Sequence, residues 1–381
     1  MNIVIVDDNP INLMVIEKIL SNTGYSHFIK LSSAVELLDL LNVGTGMGPK
    51  EPVDLILLDM MMPEIDGLEA CRRIQECEEL KDIPIIIVTA LGDSNLLAEV
   101  LEAGASDYVM KPVNKVELIA RIRVALRLKH EKDWHKENEA RIKSELELAK
   151  QVQSSVLGQP VHTDRLDISA SYHPSYELAG DLYSWYRIDD HRYGIILLDM
   201  MGHGISSSLV CMFISSVMQD TITRFVSPDL VVAELNRYMN QLNKRNNNGF
   251  SYYFTAIYLL IDTEARTIEY VNAGHPPGML FEEGQAVRLL DQGGCAVGFF
   301  EQMHIQKGVL EYKSPIQLFL YTDGLLEALE EEGQEETNPL INELSACSGE
   351  EELCSIIDRL LPPEVRKEQE DDICMVLVRA R

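Results

Sequence analysis

The chain has 381 residues, of which 46% are apolar and 25% charged, with a formal net charge of −28 at pH 7. That length holds two or three domains, and the acidic balance, which a phosphate backbone would repel, disfavours nonspecific nucleic-acid binding and a DNA-binding transcription factor. The seven cysteines (71, 77, 211, 295, 347, 354 and 374) are scattered without a C-x-x-C pair, which excludes a zinc ribbon or disulfide framework and points to a reducing, cytoplasmic setting; apolar runs such as 83–90 are strand-sized and the N-terminus carries no signal-like segment, so no membrane association is expected.

From the N-terminus, strand-like apolar runs recur at 3–6, 27–30, 55–58, 85–89 and 108–110, with helical patterns between them. This alternation predicts a doubly wound parallel sheet, in which ligands bind at the carboxyl ends of the strands. The residues at those ends are Asp7, Asp8, Asp59, Thr89 and Lys111-Pro112. Three converging carboxylates repel one another unless a divalent cation lies between them. Asp7, Asp8 and Asp59, with the Met61 carbonyl in reach, make an oxygen site suited to Mg²⁺. Lys111 can pair with Asp59 or with a phosphoryl oxygen on it, and Thr89 offers a hydroxyl, so Asp59 reads as a phosphoryl acceptor. The motifs Val-Asp-Asp-Asn, Leu-Leu-Asp-Met-Met-Met-Pro-Glu-Ile-Asp-Gly, Val-Thr-Ala and Asp-Tyr-Val-Met-Lys-Pro resemble the response-regulator receiver domain, which has a flavodoxin-like fold. The resemblance implies phosphorylation of Asp59 by a partner histidine kinase, a switch built on Thr89 and Tyr108 with Lys111, and a cis bond before Pro112.

After residue 116 the sequence becomes helical and charged. Ile142, Leu146, Ala149, Val152 and Val156 recur at three- and four-residue steps as one apolar stripe on a polar helix. Such a stripe is buried either on its own domain or in a partner helix, often a second copy, and homodimerisation through this connector is the preferred expectation. The expected organisation is 1–125, an α/β receiver; 126–160, a helical connector; and 161–381, a third domain.

That last part alternates short strand-like runs, at 166–172, 182–188, 193–198, 252–261, 267–272, 278–281, 316–321 and 373–379, with helical stretches at 206–225, 228–244, 335–346 and 350–361. Two packed sheets with helices outside, an α/β sandwich, are predicted. Acidic residues stand where strands start or stop: Asp181, Asp199, Asp323 and the pair Asp371-Asp372. Asp199 ends a buried strand and enters Met-Met-Gly-His-Gly, which holds its backbone and the Met200 carbonyl in place. Carboxylates from four places, with no Ser-His-Asp triad and no P-loop, point to a two-cation oxygen site that acidifies a water for attack on phosphorus, Mg²⁺ or Mn²⁺ fitting better than Zn²⁺.

Ala-Gly-Asp at 179–181, Asp-Met-Met-Gly-His-Gly at 199–204, Asn-Ala-Gly-His-Pro-Pro at 272–277 and Tyr-Thr-Asp-Gly at 321–324 resemble the metal-dependent PPM-type serine/threonine phosphatases. More narrowly, they are similar to the bacterial sporulation- and stress-response branch that acts on anti-sigma-factor antagonists. The resemblance implies Asp199 as the bridging ligand, the Met200 carbonyl on one metal, Asp323 and Asp372 on the other, and Asp181 as an outer or additional ligand, with Asp199, Asp323 and Asp372 as the catalytic carboxylates. His203 and His275 invite a general-acid role, but a histidine in a Gly-rich turn more often holds the loop. The function expected is a two-component effector. Phosphorylation at Asp59 would control metal-dependent hydrolysis of phosphoserine or phosphothreonine on a protein, by analogy an anti-sigma-factor antagonist. The alternative is a catalytically silent, phosphatase-like binding module that sequesters a signalling partner under receiver control.

Overall fold

The computed structural model describes residues 1–90, 94–245, 251–331, 340–341, 344, 352–363, 366 and 369–381. The chain separates into two compact units, Met1–Ile142 and Lys143–Arg381, which are taken in turn.

In the first unit, strands β1 (Ile3–Val6), β2 (Phe28–Leu31), β3 (Leu55–Asp59), β4 (Ile85–Thr89) and β5 (Asp107–Met110) alternate with helices α1 (Pro10–Ser21), α2 (Ala34–Leu40), α3 (Gly67–Gln75), α4 (Ser94–Glu102) and α5 (Lys115–Ser155). The five strands are parallel, in the order β2-β1-β3-β4-β5. Both faces of the sheet are covered, so the strands are continuously apolar rather than alternating. Ile3, Ile5, Leu55 and Leu57 face Ile16 and Leu20 of α1 and Leu118 and Ile122 of α5. Val4, Val6, Ile56 and Leu58 face α2, α3 and Val100 of α4. Asn9 caps α1 by accepting from the Ile11 N–H, with Pro10 at the first helical position, and Asp66 caps α3 by accepting from the Glu69 N–H at 2.7 Å. The Lys111–Pro112 bond is cis, as the family resemblance implied.

Helix α5 runs on for 41 residues and crosses the division between the units. Lys132 and Lys136 on it both pair with Asp82, which precedes β4. The connector stripe read from the sequence is only partly what the fold buries. Ile142 and Val152 are exposed, Leu146, Ala149 and Val156 half-buried, and the buried residues near the helix end are Gln153 and Leu157.

The second unit contains two six-stranded sheets. One has the order β14-β11-β10-β9-β8, with β15 also paired to β11; it comprises β8 (Leu182–Arg187), β9 (Arg192–Met200), β10 (Phe254–Asp262), β11 (Thr267–Ala273), β14 (Gly293–Gly294) and β15 (Gly308–Glu311). The other has the order β13-β12-β16-β17-β7-β6 and comprises β6 (Val161–His162), β7 (Leu166–His173), β12 (Gly278–Glu282), β13 (Arg288–Leu290), β16 (Ile316–Tyr321) and β17 (Ile373–Ala380). Alternation along the strands makes the layers. Leu318, Leu320, Val376 and Val378 point into the core shared with the first sheet, which also takes in α6 (Ile205–Phe225) and α7 (Pro228–Arg245). Their neighbours Phe319, Tyr321, Met375 and Leu377 point the other way, against α8 (Asp323–Glu331) and α9 (Leu353–Leu360). The result is a helix–sheet–sheet–helix sandwich.

Two details depart from expectation. Helix α8, unread in the sequence, begins at Asp323 itself, whereas the helix expected over 335–346 falls largely outside the described residues. Helix α6 is, by length and composition, apolar enough to cross a membrane; Val210, Cys211, Ile214, Met218 and Ile222 place that apolar surface in the core.

Candidate functional site

Strand pairing brings the predicted carboxylates of the second unit to one end of the two sheets. Leu182 pairs with Leu198, so Asp181, just before β8, lies beside Asp199, near the end of β9. Tyr321 pairs with Met375, so Asp323, after β16, lies beside Asp371 and Asp372, before β17. Ile373 pairs with His173, so the turn after β7 reaches the same end. The loop from Asp199 into α6 requires its glycines: Gly202 and Gly204 have φ of 78° and 83°, a left-handed conformation that L side chains rarely adopt.

Asp323, Glu327 and Asp371 have carboxylate oxygens within 4.8 Å of one another. Glu327 was not anticipated. It sits one turn along α8 from Asp323, and the i, i+4 spacing that puts both on one helix face is visible only once the helix is known to start at Asp323. Asp372, predicted as the ligand, does not join this cluster; its neighbour Asp371 does. Both Asp372 oxygens are engaged elsewhere. The Ser175 N–H and hydroxyl donate to Oδ1 at 2.8 and 3.0 Å, and the Gly180 N–H donates to Oδ2 at 2.7 Å. Successive residues entering β17 point to opposite sides, so one aspartate faces the cleft and the other the interior.

The electrostatics are those of too many carboxylates in too little water. Burial, then the charges of Asp323 and Asp371, push the Asp199 carboxyl up to about 8. Burial, followed by the charges of Asp199 and Asp372, holds Asp181 well above the usual carboxylate range. Burial also raises Asp371, with Asp323 adding to it. The Asp181 Oδ2 is buried without a hydrogen-bond partner among the described residues. A buried orphan carboxylate oxygen amid like charges is the environment a cation would relieve, and the donor set, all oxygen, fits Mg²⁺ or Mn²⁺. Met200 is buried at the end of β9; a Cβ on Gly180 would lie 3.1 Å from its carbonyl oxygen and 3.1 Å from that of Gly202, so the 179–181 segment and the 200–202 loop are in close contact.

An open cleft of about 600 Å³ lies over the acidic cluster, lined by Ser175, Tyr176, Gly202, His203, Glu327 and Asp371 among others. The His203 ring is exposed and stacks on Tyr176, with centroids 4.8 Å apart. His275 is in the interior instead. Its Nδ1 is 2.7 Å from the Thr255 hydroxyl, and burial lowers its pKa to about 3, so it is neutral and acts as part of the Asn272–His275 turn, where the Asn272 amide oxygen accepts from the His275 N–H.

In the first unit, Asp7, Asp8 and Asp59 form a second acidic group, their oxygens also within 4.8 Å. Lys111 Nζ donates to Asp7 Oδ2 at 2.9 Å and Asp59 Oδ1 at 2.8 Å. Burial raises the Asp59 pKa; the hydrogen bond from Lys111 opposes this and the Asp7 charge adds to it. Thr89 is the buried last residue of β4. Met61, expected to offer its carbonyl, follows Asp59 by two residues and its side chain is exposed. Tyr108 lies on β5 with the Arg121 guanidinium 5.3 Å from its ring centroid. A Cβ on Gly67 would come within 2.2 Å of the Asp59 carbonyl oxygen, so the glycine of the Asp59–Gly67 motif is there for close approach of α3 to the site.

Residues 189–381 match the Stage II sporulation protein E (SpoIIE) family, and residues 3–123 match the response regulator receiver domain. The chain belongs to the SpoIIE family. Within it, the chain is 44% identical over 185 residues to the phosphoserine phosphatase RsbP of Bacillus subtilis, an alignment covering 49% of this chain and 46% of RsbP. It is 28% identical over 253 residues to the phosphoserine phosphatase RsbU of the same organism, covering 63% of this chain and 71% of RsbU. The chain thus spans about half the length of RsbP. Among solved structures, the SiaA-PP2C domain of Pseudomonas aeruginosa superposes with a TM-score of 0.52 at 18% identity, covering 64% of this chain and 99% of that domain, which shows a shared fold. This SpoIIE-family chain is therefore a receiver joined by a helix to a PP2C-like sandwich.

Proposed function

We propose that this protein is a response-regulator phosphatase that hydrolyses phosphoserine or phosphothreonine on a protein substrate, under control of phosphorylation at Asp59. The observation that carries the reading is the convergence of Asp181, Asp199, Asp323, Glu327 and Asp371 at one end of the sandwich, with a buried carboxylate oxygen left unpartnered. Asp199, the Met200 carbonyl, Asp323 and Asp371 would hold two divalent cations, Mn²⁺ or Mg²⁺, with Asp181 and Glu327 as further carboxylates. Cations there would supply positive charge to the phosphoryl group and a water acidified enough to attack phosphorus. The chain's own part is to keep those oxygens in register. Asp372 ties the Ser175 turn to Gly180, and the Gly202–Gly204 turn fixes the loop after Asp199. The cleft between Tyr176, His203 and Glu327 would seat the phosphorylated segment.

The RsbP and RsbU names support phosphoserine as the substrate group, and the family resemblance favours an anti-sigma-factor antagonist as its carrier in a cytoplasmic setting. In the receiver, Asp7, Asp8, Asp59 and the Met61 carbonyl would take Mg²⁺, a histidine kinase would be the phosphodonor, and Thr89, Tyr108 and Lys111 would respond to the phosphoryl group. Residues 126–160 serve as connector, with homodimerisation through the exposed Ile142 and Val152 side chains as part of the same proposal.

The test is Mn²⁺-dependent phosphate release from a phosphoserine protein, measured with and without a phosphoryl mimic on Asp59 and alongside Asp199→Asn. Metal-dependent release that the variant loses and the mimic changes supports the whole reading. No release from metal-loaded protein would move the chain to the sequestering binding-module class.

A further inference from the structure

Two consecutive phenylalanines, Phe299 and Phe300, are 56% and 53% exposed on the turn after Gly298. The backbone that presents them is fixed from α7. Asn236, buried on that helix, accepts from the Gly298 N–H at 2.7 Å and donates through Nδ2 to the Phe300 carbonyl at 3.1 Å. Asn240, one turn on, donates to the same carbonyl at 3.2 Å. Before the turn, the Phe254 and Val297 N–H groups donate to each other's carbonyls at 3.0 and 2.9 Å. Gly298 has φ of 90°, and a Cβ on it would lie 2.8 Å from the Tyr252 carbonyl oxygen, so the chain passes tightly over the segment entering β10. With the main chain pinned at 297, 298 and 300, the exposure of the two rings is set by the fold rather than by a choice of rotamer.

These rings belong to an apolar run that reaches the acidic cleft. Phe299 and Phe300 meet edge to face with centroids 4.9 Å apart, and Phe299 meets Tyr253 the same way at 5.4 Å. The Tyr253 carbonyl in turn accepts from the Met201 N–H at 3.1 Å. Met201 is 36% exposed and directly precedes Gly202, which lines the cleft. The run therefore leads from the cleft's edge along Met201 and Tyr253 to Phe299 and Phe300.

Charge and size narrow what fits there. Glu301, next to the rings, is paired with Lys244, and the chain's net charge of −28 opposes the approach of an anionic phosphorylated segment. Short-range apolar contact offsets that repulsion. An aromatic side chain offers ~150–250 Å², so two half-exposed rings present about 200 Å², against the ~800 Å² per partner of a stable dimer. The smaller exposures of Met201 and Tyr253 do not close that gap. The surface suits a segment already anchored at its phosphate rather than a second copy of this chain.

We propose that Phe299 and Phe300 dock apolar residues flanking the phosphoserine of the protein substrate, so that the site selects phosphorylated segments with large apolar side chains near the phosphate. The inference rests on the phosphatase reading above and adds a sequence preference to it.

The experiment measures Mn²⁺-dependent phosphate release by the full chain from two synthetic phosphoserine peptides and from p-nitrophenyl phosphate. One peptide carries leucines within about four residues on either side of the phosphoserine, ~13 Å of extended chain; the other has serines there. Wild type is expected to prefer the leucine peptide at least about tenfold in kcat/KM, within the usual reach of an apolar contact. The double variant Phe299→Ser with Phe300→Ser should bring the two peptides level, with p-nitrophenyl phosphate hydrolysis and melting temperature near those of wild type. Phe299→Leu with Phe300→Leu, which keeps the surface apolar, should retain the preference. Equal wild-type rates on the two peptides, a preference that survives in the serine variant, or an equal loss of p-nitrophenyl phosphate hydrolysis in that variant would overturn the proposal. So would a sedimentation shift from dimer to monomer in the serine variant with its peptide preference intact, which would give the surface to a second copy. Absence of release from all three substrates by metal-loaded wild type would instead overturn the phosphatase reading on which the proposal stands.

Discussion

Gly324 lies directly against the backbone of Asp372: a Cβ placed on it would come within 2.3 Å of the Asp372 carbonyl oxygen and 3.4 Å of the Asp371 carbonyl carbon. This contact holds the start of α8, with Asp323 and Glu327, against the residues entering β17. The glycine after Asp323 is therefore a spacing device between two ligand-bearing segments.

Gly324→Ala should force those segments apart. Overpacking of this kind costs about 1–3 kcal/mol, and here the displaced atoms are backbone that carries the cluster. Thermal melting should show the destabilisation, and Mn²⁺ titration a loss of affinity. Gly202→Ala is the comparison, since it meets nothing within 4 Å but has φ of +78°. Its cost should be the ~1–2 kcal/mol of left-handed strain alone. Normal Mn²⁺ binding by Gly324→Ala would remove the argument for close approach.

The two adjacent aspartates should separate in their phenotypes. Asp371→Asn removes a like charge from beside Asp323, so the metal-free protein should be as stable as wild type or more so, while Mn²⁺ affinity falls at least about tenfold. Asp372→Asn puts an NH₂ group where an oxygen accepts from Ser175 or Gly180. The metal-free protein should lose about 1–3 kcal/mol through that unsatisfied donor. Urea melts with and without Mn²⁺ distinguish them. A stable Asp372→Asn protein that no longer binds Mn²⁺ would return the ligand role to Asp372.

That pair also marks how far the sequence could be read. The receiver was legible almost residue by residue, because its strands are continuous apolar runs ending at Asp7, Asp59, Thr89 and Lys111, and strand ends are where such sheets bind ligands. The sandwich was legible in its long strands, whose alternation at Leu318, Phe319, Leu320 and Tyr321 sorts two cores. The choice between Asp371 and Asp372 was not, since it depends on the Ser175 turn reaching across from β7, some two hundred positions away in the chain. Glu327 was hidden because a Tyr-Thr-Asp-Gly run reads as a turn rather than the first residues of a helix. Gln153 was passed over because the apolar period pointed to Val152, while the buried position beside it holds an amide with backbone partners. The short strands Arg288–Leu290, Gly293–Gly294 and Gly308–Glu311 carry too few residues for any period to show.

The acidic site sets a pH dependence with a definite sign. Burial and neighbouring charge raise Asp199 from 3.8 to about 8. The metal-free folded state then binds more protons than the unfolded chain, so the stability associated with this carboxyl is present below its ordinary range and lost as pH rises through about 8. His275 has the opposite sign: lowered from 6.5 to about 3, its contribution is present above its ordinary range and lost in acid. Melting temperatures of the metal-free wild type and Asp199→Asn, compared across this range, should diverge, with the wild type declining more steeply toward pH 8. Mn²⁺ should remove the difference in slope by stabilising the ionised form. Parallel pH profiles without metal would show that Asp199 ionises without penalty.

In the receiver, Lys111 is the cation that allows Asp7 and Asp59 to be buried together. Burial alone would lower the lysine pKa, but its hydrogen bonds to Asp59 and then Asp7 outweigh this and raise it above 10.5. Its contribution therefore holds through neutral pH and is lost only as pH climbs past that raised value. Lys111→Met should leave two buried carboxylates facing each other, and removing one partner of a buried ion pair typically costs ~3–5 kcal/mol. Mg²⁺ bound by Asp7, Asp8 and Asp59 would restore part of that loss by mass action, so the variant's melting temperature should rise more with added Mg²⁺ than the wild type's does. The double variant Lys111→Met with Asp59→Asn should be less destabilised than Lys111→Met alone, since one of the unpaired charges is gone. Additive losses in that cycle would mean the lysine is coupled to Asp59 too weakly to sense a phosphoryl group placed there.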